Sequence, residues 1–474
     1  MNYNNPLVLY PQYYVTLTTP AQLPLVPDAY KPYPHYNLEA VQWALLFGVC
    51  FMLGVGMGAN DVADAFGTSV GTGTVTVTQA FILATVVEMM GSVASGFAVD
   101  GKSLSIVDTS SYADNPDELV IGQIAMLVGC ATWLIVATFY SMPVSSIHSL
   151  LGATMGFSFV LRGVNGIIWK RAFLIMAVWI LSPIASAIFT LITFFLLDVT
   201  VLRAKNPVET GLFLLPGIYV IVVFANVFLF LQDGSRVLLL DQIPFMYTVA
   251  VSLAIGALGG FLALFVIGPI MKRSGWLRKA VYWAFPPMRN DDQKAVRLFS
   301  FLQILTACFA GFAHGADDIR NCVAPIRDLI HMYNQGYRDD NTQLNISVYV
   351  GLLTTLAVLM GIWTLGIRVI RTVGENFAKM NPATGFSVEF GAAVCALATN
   401  MYDIPQSMTH CLVGSIFGLG LVRSGPILKW HTVKYVFLSW ILTIPVSDLK
   451  MVMVDPKNIV TTNPVRSTDD TNRV

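Results

Sequence analysis

Apolar stretches of 18 or more residues recur along this chain from about residue 40 to residue 447. Each is long enough to span roughly 30 Å of hydrocarbon as a helix. Lipid offers no partner to an exposed backbone N–H or C=O, so such runs cross a bilayer only as helices. About twelve are present, centred near residues 49, 87, 131, 154, 183, 221, 258, 306, 359, 394, 414 and 440. The expected fold is therefore an all-α polytopic membrane protein with about twelve transmembrane helices. Charged residues make up only 12% of the chain, about half the share of a soluble domain, too few to cover a water-facing surface. The formal net charge is zero, so charge balance points to no nucleic-acid partner. The six cysteines lie in or beside apolar runs without a CxxC pair and read as packing residues.

Residues 1–39 show no basic-then-apolar leader pattern and are expected outside the bilayer without a fold of their own. A polar tail is expected at 448–474, and the last helix, which meets Asp448 and Lys450 early, reads as a marginal span. The basic stretch 271–297 marks a cytoplasmic loop, as do Arg162, Lys170 and Arg171 and the later Arg423, Lys429 and Lys434. The acidic loop 99–120 is expected on the opposite side. Asn345 sits in an Asn-Ile-Ser sequon too near an apolar run to carry a glycan.

Two polar motifs recur in order. GANDVADAFG (58–67) matches GADDIRNCVA (315–324), and each closes an apolar run. Further on, PVSSIHSLLGATMGFSFV (143–160) aligns without gaps to PQSMTHCLVGSIFGLGLV (405–422). The repetition predicts two homologous halves, 40–165 and 296–447, with intervening helices and the basic loop at 166–295. Halves inserted with opposite orientation, interrupted helices and a midplane site are the architecture of many secondary transporters. Gly152/Gly156 and Gly414/Gly418 repeat a spacing that lets helices approach closely, and read as packing.

Asp61 and Asp318 hold matching places in the repeats, where a bare charge is expensive. Helices broken at Gly58–Asp61 and Gly315–Asp318 would expose carbonyls to a cation on one side and N–H groups to an anion on the other. Ser145, Ser146, Ser407 and Thr409 offer hydroxyls to an oxyanion or a cation, or else bond back to a helix. His148 and His410 read as structural rather than proton-carrying. Glu88 and Glu389, alone in apolar helices, read as cation-handling or gating residues. The hydroxyls beyond Phe66 are expected to line the approach to the site.

These motifs resemble those of the PiT family of inorganic phosphate transporters, whose signature reads GANDVAN in the first repeat and GGNDVSN in the second. ATVVEMMGS, SFLQILTACFAGFAHG, GIRVIRTVGENF, ATGFSVEFGAA and LVRSG extend the resemblance over about residues 40–447. It implies a symporter importing inorganic phosphate with Na⁺ or H⁺, with no other cofactor. The resemblance further implies two inverted repeats with broken helices and re-entrant motifs, a homodimer, and residence in lipid, most simply the plasma membrane. By position it assigns Asn60, Asp61, Asp318, Asn321, Glu88 and Glu389 to cation binding, with Na⁺ at Asp61 and Asp318. It gives Ser145, Ser146, Ser407 and Thr409, together with Asp61 and Asp318, to phosphate. Asp64, Asp317 and Arg320 depart from the family pattern and are expected to tune the site; Ile147 and Met408 replace threonines. Asp317 and Arg320, three apart on a helix, are placed to pair.

A sulfate or other oxyanion symporter, or a transport-degenerate phosphate sensor, are the alternatives this pattern leaves open. A channel is disfavoured because no pore-lining ring is visible. An enzyme is disfavoured because neither an acyl-transfer arrangement nor a phosphate-cradling P-loop occurs.

Overall fold

The computed structural model describes residues 40–95, 106–112, 116–233, 240–272, 294–333, 340–400, 406–422 and 428–449. Most of the N-terminal segment, of the basic loop and of the tail, with Pro405 and Arg423, lie outside them, as does the side chain of Asn345. Twelve helices of 15 residues or more occur among the described residues. In chain order they are α1 (Ala40–Gly71), α2 (Val77–Ser95), α3 (Pro116–Phe139), α4 (Ser146–Arg162), α5 (Trp169–Leu197) and α6 (Pro207–Asp233). There follow α7 (Phe245–Leu262), α8 (Ser300–Tyr333), α9 (Asp340–Arg371), α10 (Pro382–Asn400), α11 (Met408–Val422) and α12 (Trp430–Leu449). Each expected apolar centre falls in one of them, in order. Nine, α1 to α9, are long and apolar enough to cross a membrane; α10, α11 and α12 do not meet that measure. The chain divides into a short unit, Met1–Ala44, and a large one, Leu45–Val474, which holds every side chain described below.

Burial sorts the helices by role. In α1, 83% of the span is buried, against 22% in α5 and α7, so α1 is the central helix and the others present faces to lipid. Ile180, Phe213 and Met246 stand on those outer faces, at 67%, 82% and 74% exposure. Outward apolar side chains cost nothing in hydrocarbon, where packing rather than the hydrophobic effect joins helices.

The expected breaks at Gly58–Asp61 and Gly315–Asp318 are not there. Both motifs lie inside continuous helices, α1 and α8. The glycines serve close approach instead: a Cβ on Gly58 would sit 2.1 Å from the Val358 carbonyl oxygen of α9, and one on Gly315 2.1 Å from that of Glu88 in α2. The backbone keeps its helical hydrogen bonds, and only the side chains turn polar.

The interruption falls at the second motif. The chain leaves α3 through Ser141, whose φ is 59°. The orphan carbonyls there are met by side chains: Phe139 by Arg368 at 3.1 Å, Tyr140 by Tyr435 at 2.7 Å and Ser141 by Thr372 at 2.9 Å. Ser145 then caps α4, accepting from the His148 N–H at 3.3 Å, and Ser407 caps α11, accepting from the His410 N–H at 3.2 Å.

Other features also occur twice. Val107 bridges to Ile167 just before α5, and Ala378 bridges to Leu428 just before α12. Helix α4 packs on α12, and α11 on α5, where Gly414 and Gly418 approach Pro183 and Ala187. The orientation expected for Arg162 needs correcting: it is not opposite the acidic loop but against it. Arg162 pairs with Glu118, bonds the Ser111 carbonyl at 2.8 Å and lies over the Tyr112 ring at 4.5 Å. Its charge is spent locally, so it is a poor marker of the cytoplasmic side.

Candidate functional site

Asp61 and Asp64 are three residues apart on α1 and so share one face of it. Two helix N-termini converge on that face. From the first turn of α4, the Ser146 hydroxyl donates to Asp61 Oδ2 at 2.6 Å. From the first turn of α11, the Thr409 hydroxyl donates to Asp64 Oδ2 at 2.5 Å. The capping serines align both N-termini, and their positive ends add to the field at the carboxylates. Asn60 fixes the approach of α4. Its amide donates to Thr138 Oγ1 and to the Met142 carbonyl, each at 3.0 Å, while its oxygen accepts from the Val144 N–H at 3.0 Å. Asn60, expected as a cation ligand, has both amide atoms bonded to the chain around 138–144.

Helices α2 and α8 close the site. A carboxylate oxygen of Asp61, one of Asp318 and a ring nitrogen of His314 lie within 4.8 Å of one another. Glu88, on α2, is close enough to Asp61 and Asp318 to interact electrostatically with both. Asp61, Asp64, Glu88 and Asp318 are 2%, 4%, 1% and 1% exposed. Asp61 Oδ1, Asp64 Oδ1, Asp318 Oδ2, both Glu88 oxygens and His314 Nε2 are buried with no hydrogen-bond partner. Buried polar atoms are nearly always satisfied, so this concentration of unsatisfied donors and acceptors marks a place for ligands.

Glu389 belongs elsewhere. It accepts from Thr68 and Thr306, from Ser69 at 3.0 Å and from Gln303 at 3.2 Å. Gln303 in turn accepts from Thr72 and Thr74 at 3.0 and 2.9 Å. The hydroxyls beyond Phe66, expected to line an approach, thus tie the end of α1 to α8 and α10 through Glu389. Asp317 and Arg320 form an ion pair at 3.2 Å and are more open than Asp318. Asn321, expected with the cation ligands, is half-buried one turn beyond Asp318.

His148 and His410 meet at the centre. Their ring centroids are 4.1 Å apart; His148 packs on Trp179 of α5 at 4.0 Å and His410 on Trp440 of α12 at 3.8 Å. The His410 ring nitrogen Nδ1 also bonds Ser407 Oγ at 2.9 Å. His314 was missed at the level of sequence. Its signal was available: it stands four residues before Asp318, so a helix puts both on one face.

A buried set of carboxylates met by two helix N-termini, inside a multi-pass helical membrane protein, is the kind of site secondary transporters build. The sequence profile of the phosphate transporter family matches residues 57–449, and the chain belongs to that family. It is 30% identical over 421 residues to the chloroplast inorganic phosphate transporter 2-1 of Arabidopsis thaliana, covering 85% of this chain and 69% of that one. It is 23% identical over 642 residues to sodium-dependent phosphate transporter 1 of Mus musculus, covering 86% and 94%. A solved structure described as the sodium-dependent phosphate transporter matches with a TM-score of 0.72 and 26% identity, over 86% of this chain and 97% of that chain.

Proposed function

We propose that this chain is a secondary active symporter that imports inorganic phosphate with Na⁺ as the coupling ion, through inverted repeats spanning 40–165 and 296–447. The observation that carries the proposal is the set of unpartnered carboxylate oxygens on Asp61, Asp64, Glu88 and Asp318 beside the N-termini of α4 and α11. The paired bridges, the paired capping serines and the paired His–Trp contacts support the two repeats.

Coupling follows from charge. A phosphate about 5 Å from a carboxylate is repelled by about 3 kcal/mol at an effective dielectric constant of about 20, on the order of a hundredfold in affinity. A cation held between them reverses that sign. Na⁺ at Asp61 and Asp318 therefore makes the phosphate site usable, and phosphate in turn holds the cation. In this proposal the backbone N–H groups at the N-termini of α4 and α11 receive the anion, and the hydroxyls of Ser146 and Thr409, which donate to Asp61 and Asp64, turn to it once a cation takes those carboxylates. Asp64 adds a further acceptor for a cation. Asn321, Asp317 and Arg320 act from outside the cluster. The homodimer and the plasma membrane rest on the family resemblance alone.

Uptake of labelled phosphate into proteoliposomes tests the reading, with a Na⁺ gradient, then a pH gradient, then labelled sulfate in place of phosphate. Uptake driven by Na⁺ supports the proposal; uptake driven by pH alone reassigns the coupling ion. Preference for sulfate reassigns the cargo, and no uptake under any gradient favours a receptor.

A further inference from the structure

We propose that Asp61, His314 and Asp318 form a binding site for a divalent transition-metal cation of the Zn²⁺ or Co²⁺ class, and that such an ion blocks uptake by taking the coupling cation's place. The blocking half rests on the function proposed above; the binding half does not.

The donor set motivates the choice of ion. Hard cations such as Mg²⁺ and Ca²⁺ are held by oxygen alone, whereas an imidazole beside carboxylates suits Zn²⁺ and its neighbours. Here a ring nitrogen and two carboxylate oxygens come from three side chains on two facing helices, all within 4.8 Å of one another. Metal–nitrogen and metal–oxygen bonds of about 2.0–2.2 Å ask for shifts on the order of 1 Å to close these groups on one ion. His314 is 6% exposed, and its Nε2 has no partner, nor has Asp61 Oδ1 or Asp318 Oδ2. The helix supplies two of the three positions without cost, since His314 and Asp318 are four apart and project from the same face of α8. Glu88, with both oxygens unpartnered, stands nearby to complete the charge. An ion with two positive charges there would neutralise the carboxylates more strongly than Na⁺ does and leave slowly.

The test is titration of Co²⁺ into the purified full chain, in Na⁺-free and phosphate-free buffer, followed by its visible absorption. One Co²⁺ per chain is expected, displaced by Zn²⁺. The affinity should fall at least tenfold in His314→Asn and in Asp318→Asn, and stay unchanged in His431→Ala, whose exposed imidazole lies at the start of α12. Co²⁺ affinity unchanged in a folded His314→Asn chain overturns the site. Asp61→Asn supplies an independent reading if that variant does not fold, with the same tenfold loss expected and an unchanged affinity overturning the site. Zn²⁺ should then inhibit phosphate uptake in the parent chain and lose at least tenfold potency in His314→Asn; undiminished potency overturns the blockade. Absence of metal-free uptake in the parent chain would count against the proposed function, while the Co²⁺ titration would still judge the site.

Discussion

Thr409 donates its hydroxyl to Asp64 at 2.5 Å, joining the first turn of α11 to the C-terminal half of α1 across 345 positions of sequence. Ser146 does the same for Asp61 at 2.6 Å. The two contacts sit one helical turn apart, so a pair of carboxylates, each clamped by a hydroxyl at a helix N-terminus, faces the space between α4 and α11. Asp64 stands where the family signature keeps an amide. Its second oxygen is buried and unpartnered.

Asp64→Asn should therefore preserve uptake while removing one positive charge from the coupled load. The charge carried per phosphate, measured as current against labelled uptake, is expected to fall by about one. An unchanged ratio would show that Asp64 carries no cation.

Asn60→Ala removes three hydrogen bonds that hold the segment between α3 and α4. At about 1 kcal/mol net for each bond, a loss of about 3 kcal/mol is expected in a thermal or denaturant melt. The apparent affinity for phosphate should fall with it, because the α4 N-terminus loses its tether. Full stability in the variant would remove Asn60 from this positioning role.

The all-helical membrane character and the order of the helix centres were legible because hydrophobic runs of helical length have no other use in a bilayer; how many of the helices cross it was not, since α10, α11 and α12 fall short of a span. The polar motifs GANDVADAFG and GADDIRNCVA singled out Asp61 and Asp318, which the structure brings together. What the glycines did was not legible. Gly58 and Gly315 beside polar residues read as helix breaks, yet the structure uses them to bring α1 onto α9 and α8 onto α2. A sequence shows that a side chain is missing, not which backbone fills the gap. Glu88 and Glu389 looked alike as lone intramembrane acids. Tertiary contacts separate them: Glu389 has hydroxyl and amide donors from α1 and α8, whereas both Glu88 oxygens have none.

That contrast predicts different consequences. Glu389→Gln, which disturbs a satisfied network, should cost about 1–3 kcal/mol of stability and leave the Na⁺ concentration for half-maximal uptake within about twofold. Glu88→Gln should leave stability unchanged or raised, since it replaces a buried carboxyl whose two oxygens have no partner, and should weaken Na⁺ activation. The reverse pattern in paired melts and Na⁺ titrations would exchange the roles assigned to the two acids.

The Trp179–His148–His410–Trp440 stack joins α5, α4, α11 and α12 through ring contacts. If packing is its task, His148→Phe should keep stability and uptake within about threefold, while His148→Ala should lose about 2–4 kcal/mol, in the range of other large-to-small core changes. Loss of uptake in a stable His148→Phe chain would instead give the imidazole a role of its own.

In the proposed symport, cations at Asp61 and Asp318 permit an oxyanion to bind beside them. Phosphate binding to the purified chain, measured by calorimetry in Na⁺ and again with choline at equal ionic strength, tests it most directly. The expected result is at least tenfold tighter binding in Na⁺, with that difference abolished in Asp61→Asn/Asp318→Asn. Phosphate affinity that is the same in Na⁺ and in choline would contradict it.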